Sequence, residues 1–373
     1  MDSLIAKLMN ANCIKIGRFT LKSGDISKYY FDMKNLISYP SLLKEVGDAL
    51  YSRLGDFDII CGIPYGGLPI ATYISTSYSK PLIYVRDKEK NYGTNKRIEG
   101  EFLSTDRCII IDDVITSGKS LKETIEFLQD KVNVVASAVV MDRQQNSSLS
   151  VISLLNKTDV VKYRIRSLIK SKNSCLCFSA DLLDLTKLWS IIHDIGKYMV
   201  ICKIHYDIVP ETERESFKEK MVDLSIEHDF LIMEDRKFND ISYIVEKQYN
   251  PFKNWVDLVT VHALIEPSVV TSLSGAVVVA TMSNNNYDLT ENAMRIASKY
   301  SKHVSGFVTQ KRLVFPGMLC MTPGIALTNK NIADQKYRKS NDIDTDIKIV
   351  GRAIYESTQL LDDVEVISKN ISS

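Results

Sequence analysis

The chain holds 373 residues, room for two or three domains of roughly 100–200 residues, each with its own core. Its 45% hydrophobic and 25% charged residues are those of an ordinary globular protein, and a net charge of +1 disfavours a polyanion such as nucleic acid as partner. No apolar run approaches the ~18–20 residues that span a bilayer, and "MDSLIAKLMNANCIKIG" lacks the apolar core of a leader.

The first half alternates apolar runs with helical patterns. The runs "DIICGI" (58–63), "PLIYV" (81–85), "RCIIIDDV" (107–114) and "VVASAVVM" (134–141) read as strands. "SLKETIEFLQDKV" lies between the last two with helical spacing, and strands alternating with helices predict a parallel sheet flanked by helices. "VISLLNKTDVVKYRI" is expected to close a first domain at 1–163, "RSLIKSKNS" to form a basic, helix-like connector at 164–174, and the second domain to fill 175–373. No Gly/Ser- or Pro-rich linker separates the halves.

The second half offers eight strand candidates, at 175–180, 198–204, 229–234, 256–262, 276–281, 303–308, 317–321 and 346–350. Helical segments such as "LTKLWSIIHDIG" and "TERESFKEKMVDLSIEH" fall between several of them, which predicts a (β/α)8 barrel with short connections. The seven cysteines are scattered through strand-like runs and fit buried, reduced thiols in a cytoplasmic protein. The five histidines are dispersed, which argues against a zinc site.

Two stretches carry chemistry. "CIIIDDVITSGKS" (108–120) is an apolar strand ending in two carboxylates, followed by a small polar loop and a helix. Thr116, Ser117, Gly118, Lys119 and Ser120 can aim backbone N–H groups and a helix N-terminus at a phosphate. Asp112 and Asp113 suit sugar hydroxyls or a metal-bridged sugar phosphate rather than the phosphate itself. A Walker A loop is excluded, because Asp113 stands where its first glycine belongs.

These residues resemble the PRPP motif of type I phosphoribosyltransferases, and further stretches narrow the resemblance to orotate phosphoribosyltransferases over about residues 1–163. "FTLKSGDISKYYFD" (19–32) looks like that family's orotate segment, "CGIPYGGLPIAT" (61–72) its pyrophosphate-side loop, "VRDKEKNYGTNKRIEGEF" (85–102) its catalytic loop and "MDRQQ" (141–145) its carboxylate-binding strand end. The resemblance implies that Lys22, Tyr30, Phe31 and Arg143 hold orotate, with Arg143 on its carboxylate. It puts Asp112 and Asp113 on the ribose hydroxyls, Thr116 to Ser120 on the 5′-phosphate, and Arg86 and the catalytic Lys90 on the pyrophosphate. Mg²⁺ is expected through PRPP, with no metal held directly by the protein. Asp87 departs from the family, which usually has a second base there, and should weaken PRPP binding.

In "YMVICKIHYDIV" (198–209) Lys203 and His205 alternate off a strand and share a face, as do Asp235 and Lys237 in "LIMEDRKFNDI" (231–241). Both pairs lie at C-terminal strand ends, where barrels place their chemistry, and Asp240 follows on the loop. The Lys203, Asp235, Lys237, Asp240 array resembles the catalytic signature of orotidine 5′-monophosphate decarboxylases, from about Cys177 onward. "CFSAD" is similar to that family's first strand, with Ser179 and Asp181 on base and ribose. "MTPGI" and "IVGRAI" are similar to its phosphate-side strand ends.

The resemblance implies that Asp235 crowds the substrate carboxylate, Lys237 protonates C6 and Asp240 enters from a second subunit. Ser283, Pro323, Gln335, Gly351 and Arg352 would contact the nucleotide, with Gln335 and Arg352 on its phosphate. No cofactor is expected for this step. Ile244 departs where the family often has a threonine donor. In this order the two families describe the bifunctional UMP synthases, homodimers acting on orotate, PRPP and orotidine 5′-monophosphate. The alternative is an active decarboxylase carrying an N-terminal half that serves only as a dimerisation or nucleotide-binding scaffold.

Overall fold

The computed structural model describes residues 1–21, 23–86, 97–144, 149–283, 287–327, 330–332 and 335–369, with only the backbone taken at 330–332, 335 and 336. The chain forms two compact units, one of Met1–Lys15 with Tyr29–Lys157, the other of Ile16–Lys28 with Thr158–Ser373.

The first unit is built on a six-stranded sheet in the order Ile98–Glu99, Leu82–Val85, Ile59–Gly62, Arg107–Ile115, Asn133–Asp142, Ile152–Asn156. All neighbours are parallel except the short edge strand Ile98–Glu99. Parallel strands covered on both faces need apolar residues at successive positions, which is why Cys108–Ile111 is an unbroken buried run. Helices Gly67–Tyr78 and Lys119–Leu128 each follow a central strand, so the loops before them meet at the C-terminal edge of the sheet. The four expected strands of this half are all present.

The second unit is a closed parallel barrel. Its strands are Leu176–Ser179, Met199–Ile204, Leu231–Phe238, Leu258–His262, Ala276–Val279, Val304–Val308, Leu319–Thr322 and Ile347–Val350, and the last pairs with the first. Each overlaps one of the eight expected runs. The helical ring is thinner than eight strand–helix units would make it. A 3-10 turn, Pro267–Ser272, stands between the fourth and fifth strands, and a small three-stranded sheet lies between the seventh and eighth. Residues 309–318, between the sixth and seventh strands, are too few for a packed crossover helix. Phe252, Trp255, Val269 and Val270 close the apolar layer beside that 3-10 turn.

The units divide between Lys157 and Thr158, whereas the sequence suggested 163 and a connector at 164–174. Lys157–Lys172 is one continuous helix, so the basic stretch is helical but not a separate linker. Lys172 anchors its end by donating to the carbonyls of Gly196, Met199 and His228 at 2.6–3.0 Å. Ile16–Lys28 belongs to the barrel unit although it precedes most of the first. Arg18 pairs with Asp223 at 2.8 Å and Glu219 at 3.2 Å on helix Arg214–Glu227, and Lys28 pairs with Asp257. All seven cysteines are buried free thiols. Among the described residues no helix is long and apolar enough to cross a membrane.

Candidate active sites

In the first unit, the strand Arg107–Ile115 delivers Asp112 and Asp113 to the C-terminal edge of the sheet. Asp113 N–H donates to Asp112 Oδ1 at 2.8 Å and Val114 N–H to Asp113 Oδ1 at 2.9 Å. Asp113 Oδ2 is buried with no hydrogen-bond partner among the described residues, and Lys34 Nζ lies 3.7 Å away. Burial, reinforced by the charge of Asp113, pushes the Asp112 carboxyl up to about 7. The pair is therefore poised to take a hydroxyl, a cation or a proton.

Two glycines let the neighbouring loop reach this pair. A Cβ on Gly66 would sit 2.2 Å from the Asp113 carboxyl carbon, and one on Gly67 would sit 2.3 Å from the Ile111 carbonyl oxygen. The phosphate loop turns at Gly118, whose φ of 74° is left-handed, and passes directly into helix Lys119–Leu128. Thr116 is half-buried, Ser117, Lys119 and Ser120 are exposed, and Lys119 lies 3.8 Å from Glu123.

Arg143 N–H donates to the Ile115 carbonyl at 3.1 Å, which joins the end of strand Asn133–Asp142 to the start of the phosphate loop. Its guanidinium lies 5.9 Å from the Phe31 ring, and burial pulls its pKa below the ordinary arginine value. Phe31 is buried and stacked on Tyr29, while Tyr30 is exposed beneath Lys15 at 5.8 Å. Arg86 faces Glu99 at 2.5 Å. Lys22, Asp87 and Lys90 lie outside the described residues. Lys34, absent from the sequence-based set, has a signal only in hindsight, as the second residue after Asp32 at a strand end.

In the second unit a cavity of about 350 Å³ opens at the C-terminal ends of the barrel strands. Ser179, Asp181, Lys203, Asp235, Lys237, Ser283, Pro323, Gly351 and Arg352 all line it. Asp235 Oδ2 lies 2.9 Å from both Lys203 Nζ and Lys237 Nζ, and Lys203 is 3.4 Å from Asp181 Oδ1. Ser179 Oγ donates to Asp181 Oδ2 at 2.9 Å. Burial pushes the Asp235 carboxyl up, but the Lys203 and Lys237 ammoniums outweigh it and hold Asp235 well below the usual carboxylate range. Burial likewise pulls Lys203 down, and Asp235 with Asp181 more than reverses it. The result is a charged network in which Asp235 is held as a carboxylate and Lys203 as an ammonium.

His205 Nε2 lies 3.1 Å from Lys203 Nζ, and burial followed by that ammonium lowers its pKa, which favours the neutral ring. At the other end of the cavity Arg352 lies with Tyr337 and Tyr355 along its wall. Thr260, Tyr337 and Tyr355 were not singled out from sequence. A threonine inside an apolar strand and tyrosines beside strand ends read there as packing. Asp240 is exposed, accepts from the N–H of Ile241 at 2.7 Å and does not line the cavity. The cavity acid beyond Asp235 is Asp181. Gln335 lies in a strand, but its side chain is outside the described residues. Ile244, half-buried on helix Ser242–Tyr249, is not among the lining residues.

A family model described as orotidine 5′-phosphate decarboxylase / HUMPS family matches residues 174–367, and one described as a phosphoribosyl transferase domain matches residues 32–160. The uridine 5′-monophosphate synthase of Bos taurus is 30% identical over 462 aligned residues, covering 99% of this chain and 96% of the relative. That alignment is longer than the 373 residues here, so the relative carries segments that this chain lacks. The uridine 5′-monophosphate synthase of Caenorhabditis elegans is 27% identical, with 96% and 92% covered. The orotate phosphoribosyltransferase of Methanocaldococcus jannaschii is 38% identical over 148 residues, 39% of this chain and 84% of the relative.

Proposed function

The chain belongs to the uridine 5′-monophosphate synthase family, and from that premise we propose how its two units divide the chemistry. It is a bifunctional enzyme that transfers phosphoribosyl from PRPP to orotate, giving orotidine 5′-monophosphate and pyrophosphate, and decarboxylates that product to UMP and CO₂. The observation that carries the residue assignments is the Lys203–Asp235–Lys237 array in the barrel mouth.

In the transfer step a nitrogen of orotate displaces pyrophosphate at C1 of the ribose. Arg143 pairs with the orotate carboxylate, and Phe31 and Tyr30 flank the ring. Asp112 and Asp113 accept from the ribose hydroxyls, and the N–H groups of Thr116 to Ser120 hold the 5′-phosphate. Arg86 exchanges Glu99 for the leaving pyrophosphate, together with Lys90. Mg²⁺ would arrive on PRPP, held by the substrate's phosphates, and the carboxylates of Asp112 and Asp113, one of whose buried oxygens has no hydrogen-bond partner among the described residues, fit a cation beside them. When bound, the ion supplies charge neutralisation at the pyrophosphate.

In the decarboxylation step Ser179, Asp181 and Ser283 fix base and ribose, and Arg352 with Gln335 grips the phosphate near Pro323 and Gly351. Asp235 stands against the substrate carboxylate, so that loss of neutral CO₂ relieves like-charge crowding. The electron pair left at C6 is stabilised by Lys237, which then gives C6 its proton. Lys203 holds Asp235 from the other side. No cofactor enters this scheme. Asp240, exposed beside Ile241 and Tyr243, serves the site of a second subunit in a homodimer, and the enzyme works in the cytoplasm.

The test is a paired assay. Purified protein given orotate, PRPP and Mg²⁺ should form UMP and release CO₂, and given orotidine 5′-monophosphate alone should release CO₂ without Mg²⁺. Release only from the nucleotide would remove the transfer assignments, and no release from it would remove the barrel assignments.

A further inference from the structure

The third barrel strand, Leu231–Phe238, does not run regularly beside the fourth. Met233 pairs with Leu258 and Glu234 with Val259, but the next pair is Phe238 with Val261. Asp235, Arg236 and Lys237 thus lie opposite Thr260 alone, and Lys237 has a left-handed φ of 52°. For a lysine this backbone state is unfavourable and persists only where neighbouring contacts hold it.

Thr260 supplies those contacts. Its side chain is fully buried, and its Oγ1 accepts from Lys237 N–H at 2.9 Å while its hydroxyl lies 2.8 Å from Asp235 Oδ1. A hydroxyl has one proton. Because the Lys237 N–H is already a donor, that proton is committed to Asp235 Oδ1. Asp235 Oδ2 is then left for the two ammoniums at 2.9 Å. One hydroxyl thereby sets the rotation of the carboxylate and the backbone turn that carries Lys237.

We propose that Thr260 is a positioning residue for decarboxylation, aligning Asp235 and Lys237 through its single hydroxyl. This rests on the roles given above to those two residues. Thr260→Val keeps the shape and loses the hydroxyl. It should lower kcat for orotidine 5′-monophosphate about 10–100-fold, the scale of a small misplacement of reacting groups, while KM changes less than about threefold. Thr260→Ser, which retains the hydroxyl, should recover at least about a third of wild-type kcat. The thermal melt of the barrel, measured on the same samples, reports its folding, and phosphoribosyl transfer is the control for the other unit.

Should Thr260→Val prove unfolded, Thr260→Cys, a nearly isosteric and weak donor, is compared with Thr260→Ser instead, and a kcat for cysteine equal to that for serine overturns the proposal. A folded Thr260→Val with kcat within twofold of wild type, or an equal loss in the valine and serine variants, also overturns it. Lys237→Ala run alongside separates the two levels. If Lys237→Ala turns over normally, the roles given to the charged residues fail. If it is inactive while Thr260→Val is not impaired, only the positioning proposal fails.

Discussion

The Lys28 ammonium lies 2.6 Å from Oδ2 of Asp257, and both side chains are sealed from solvent. The same oxygen accepts from the N–H of Ile232 at 2.6 Å, while Lys28 also reaches the Phe230 carbonyl at 3.4 Å. Burial pulls Lys28 below the usual lysine range, and Asp257 opposes that pull. An early segment, Ile16–Lys28, is thus pinned to the barrel unit by a buried charge pair.

Removing one partner of such a pair leaves an unpaired charge in the interior, a loss of about 3–5 kcal/mol, whereas replacing both with apolar or neutral groups is often nearly neutral. Lys28→Met should therefore lower the barrel's calorimetric melting temperature by roughly 6–20 °C, on a scale of about 2–4 °C per kcal/mol. Lys28→Met with Asp257→Asn should recover much of that loss. A single variant that melts with wild type would show that the pair contributes nothing net.

Much of this architecture can be read from apolar runs, because each barrel strand buries side chains on both faces and so leaves an unbroken hydrophobic signature. The charges at the ends of those runs, Lys203, Asp235 and Lys237, stand out for the same reason. What pattern reading misses is long-range. Nothing local in "GRFTLKSGDISK" says that Arg18 and Lys28 have partners some two hundred residues later. Thr260 in "LVTVH" looks like core until the slipped register opposite it is known. The division at Lys157 was likewise hidden, because the helix that opens the second unit starts there directly after a strand, with no break in composition.

Asp112 predicts a pH dependence. Its carboxyl is pushed up to about 7 by burial and by Asp113, from an ordinary value of 3.8. Between those two values the folded chain keeps a proton that the unfolded chain has released. Stability from this group is therefore complete at low pH and lost as pH rises through about 7. Asp112→Asn removes the titration, so at pH about 8 the first unit of the variant should melt roughly 2–6 °C above wild type, with no gain near pH 4. A gain of the same size at both pH values would mean that packing, not ionisation, is responsible. Orotidine 5′-monophosphate decarboxylation should be untouched.

The proposed sharing of Asp240 between subunits can be tested by mixing them. Lys237→Ala should abolish CO₂ release, because the proposed proton donor to C6 is gone, and Asp240→Ala should be severely impaired if its carboxylate acts across the dimer. A heterodimer of the two variants contains one site built without either lesion and one carrying both. Mixed and re-equilibrated subunits should therefore regain about a quarter of wild-type turnover per subunit, from half the dimers being hetero with one sound site each. Confirmed heterodimers without activity would place Asp240 in its own subunit's chemistry, and a fully active Asp240→Ala enzyme would place it outside the chemistry altogether.

Gly66 offers the cleanest separation of the two reactions. Its φ of −71° suits any residue, so the backbone would tolerate alanine. The obstacle is space, since a Cβ there would lie 2.2 Å from the carboxyl carbon of Asp113 and 2.3–2.4 Å from its oxygens. Asp113 is buried, and its Oδ1 already accepts from Val114 N–H at 2.9 Å, so it cannot yield without losing that bond or moving the loop. Overpacking of this kind costs about 1–3 kcal/mol in stability. Its larger effect should fall on transfer, with kcat/KM for PRPP down by about 10²-fold or more, because a misplacement near 1 Å is felt at that scale. Decarboxylation of supplied orotidine 5′-monophosphate should stay within twofold of wild type, since Gly66 and the barrel cavity belong to different units. Transfer at wild-type rates in a folded Gly66→Ala enzyme would mean that Asp113 does not meet the ribose, and parallel loss of both activities would mean that the two units do not work independently.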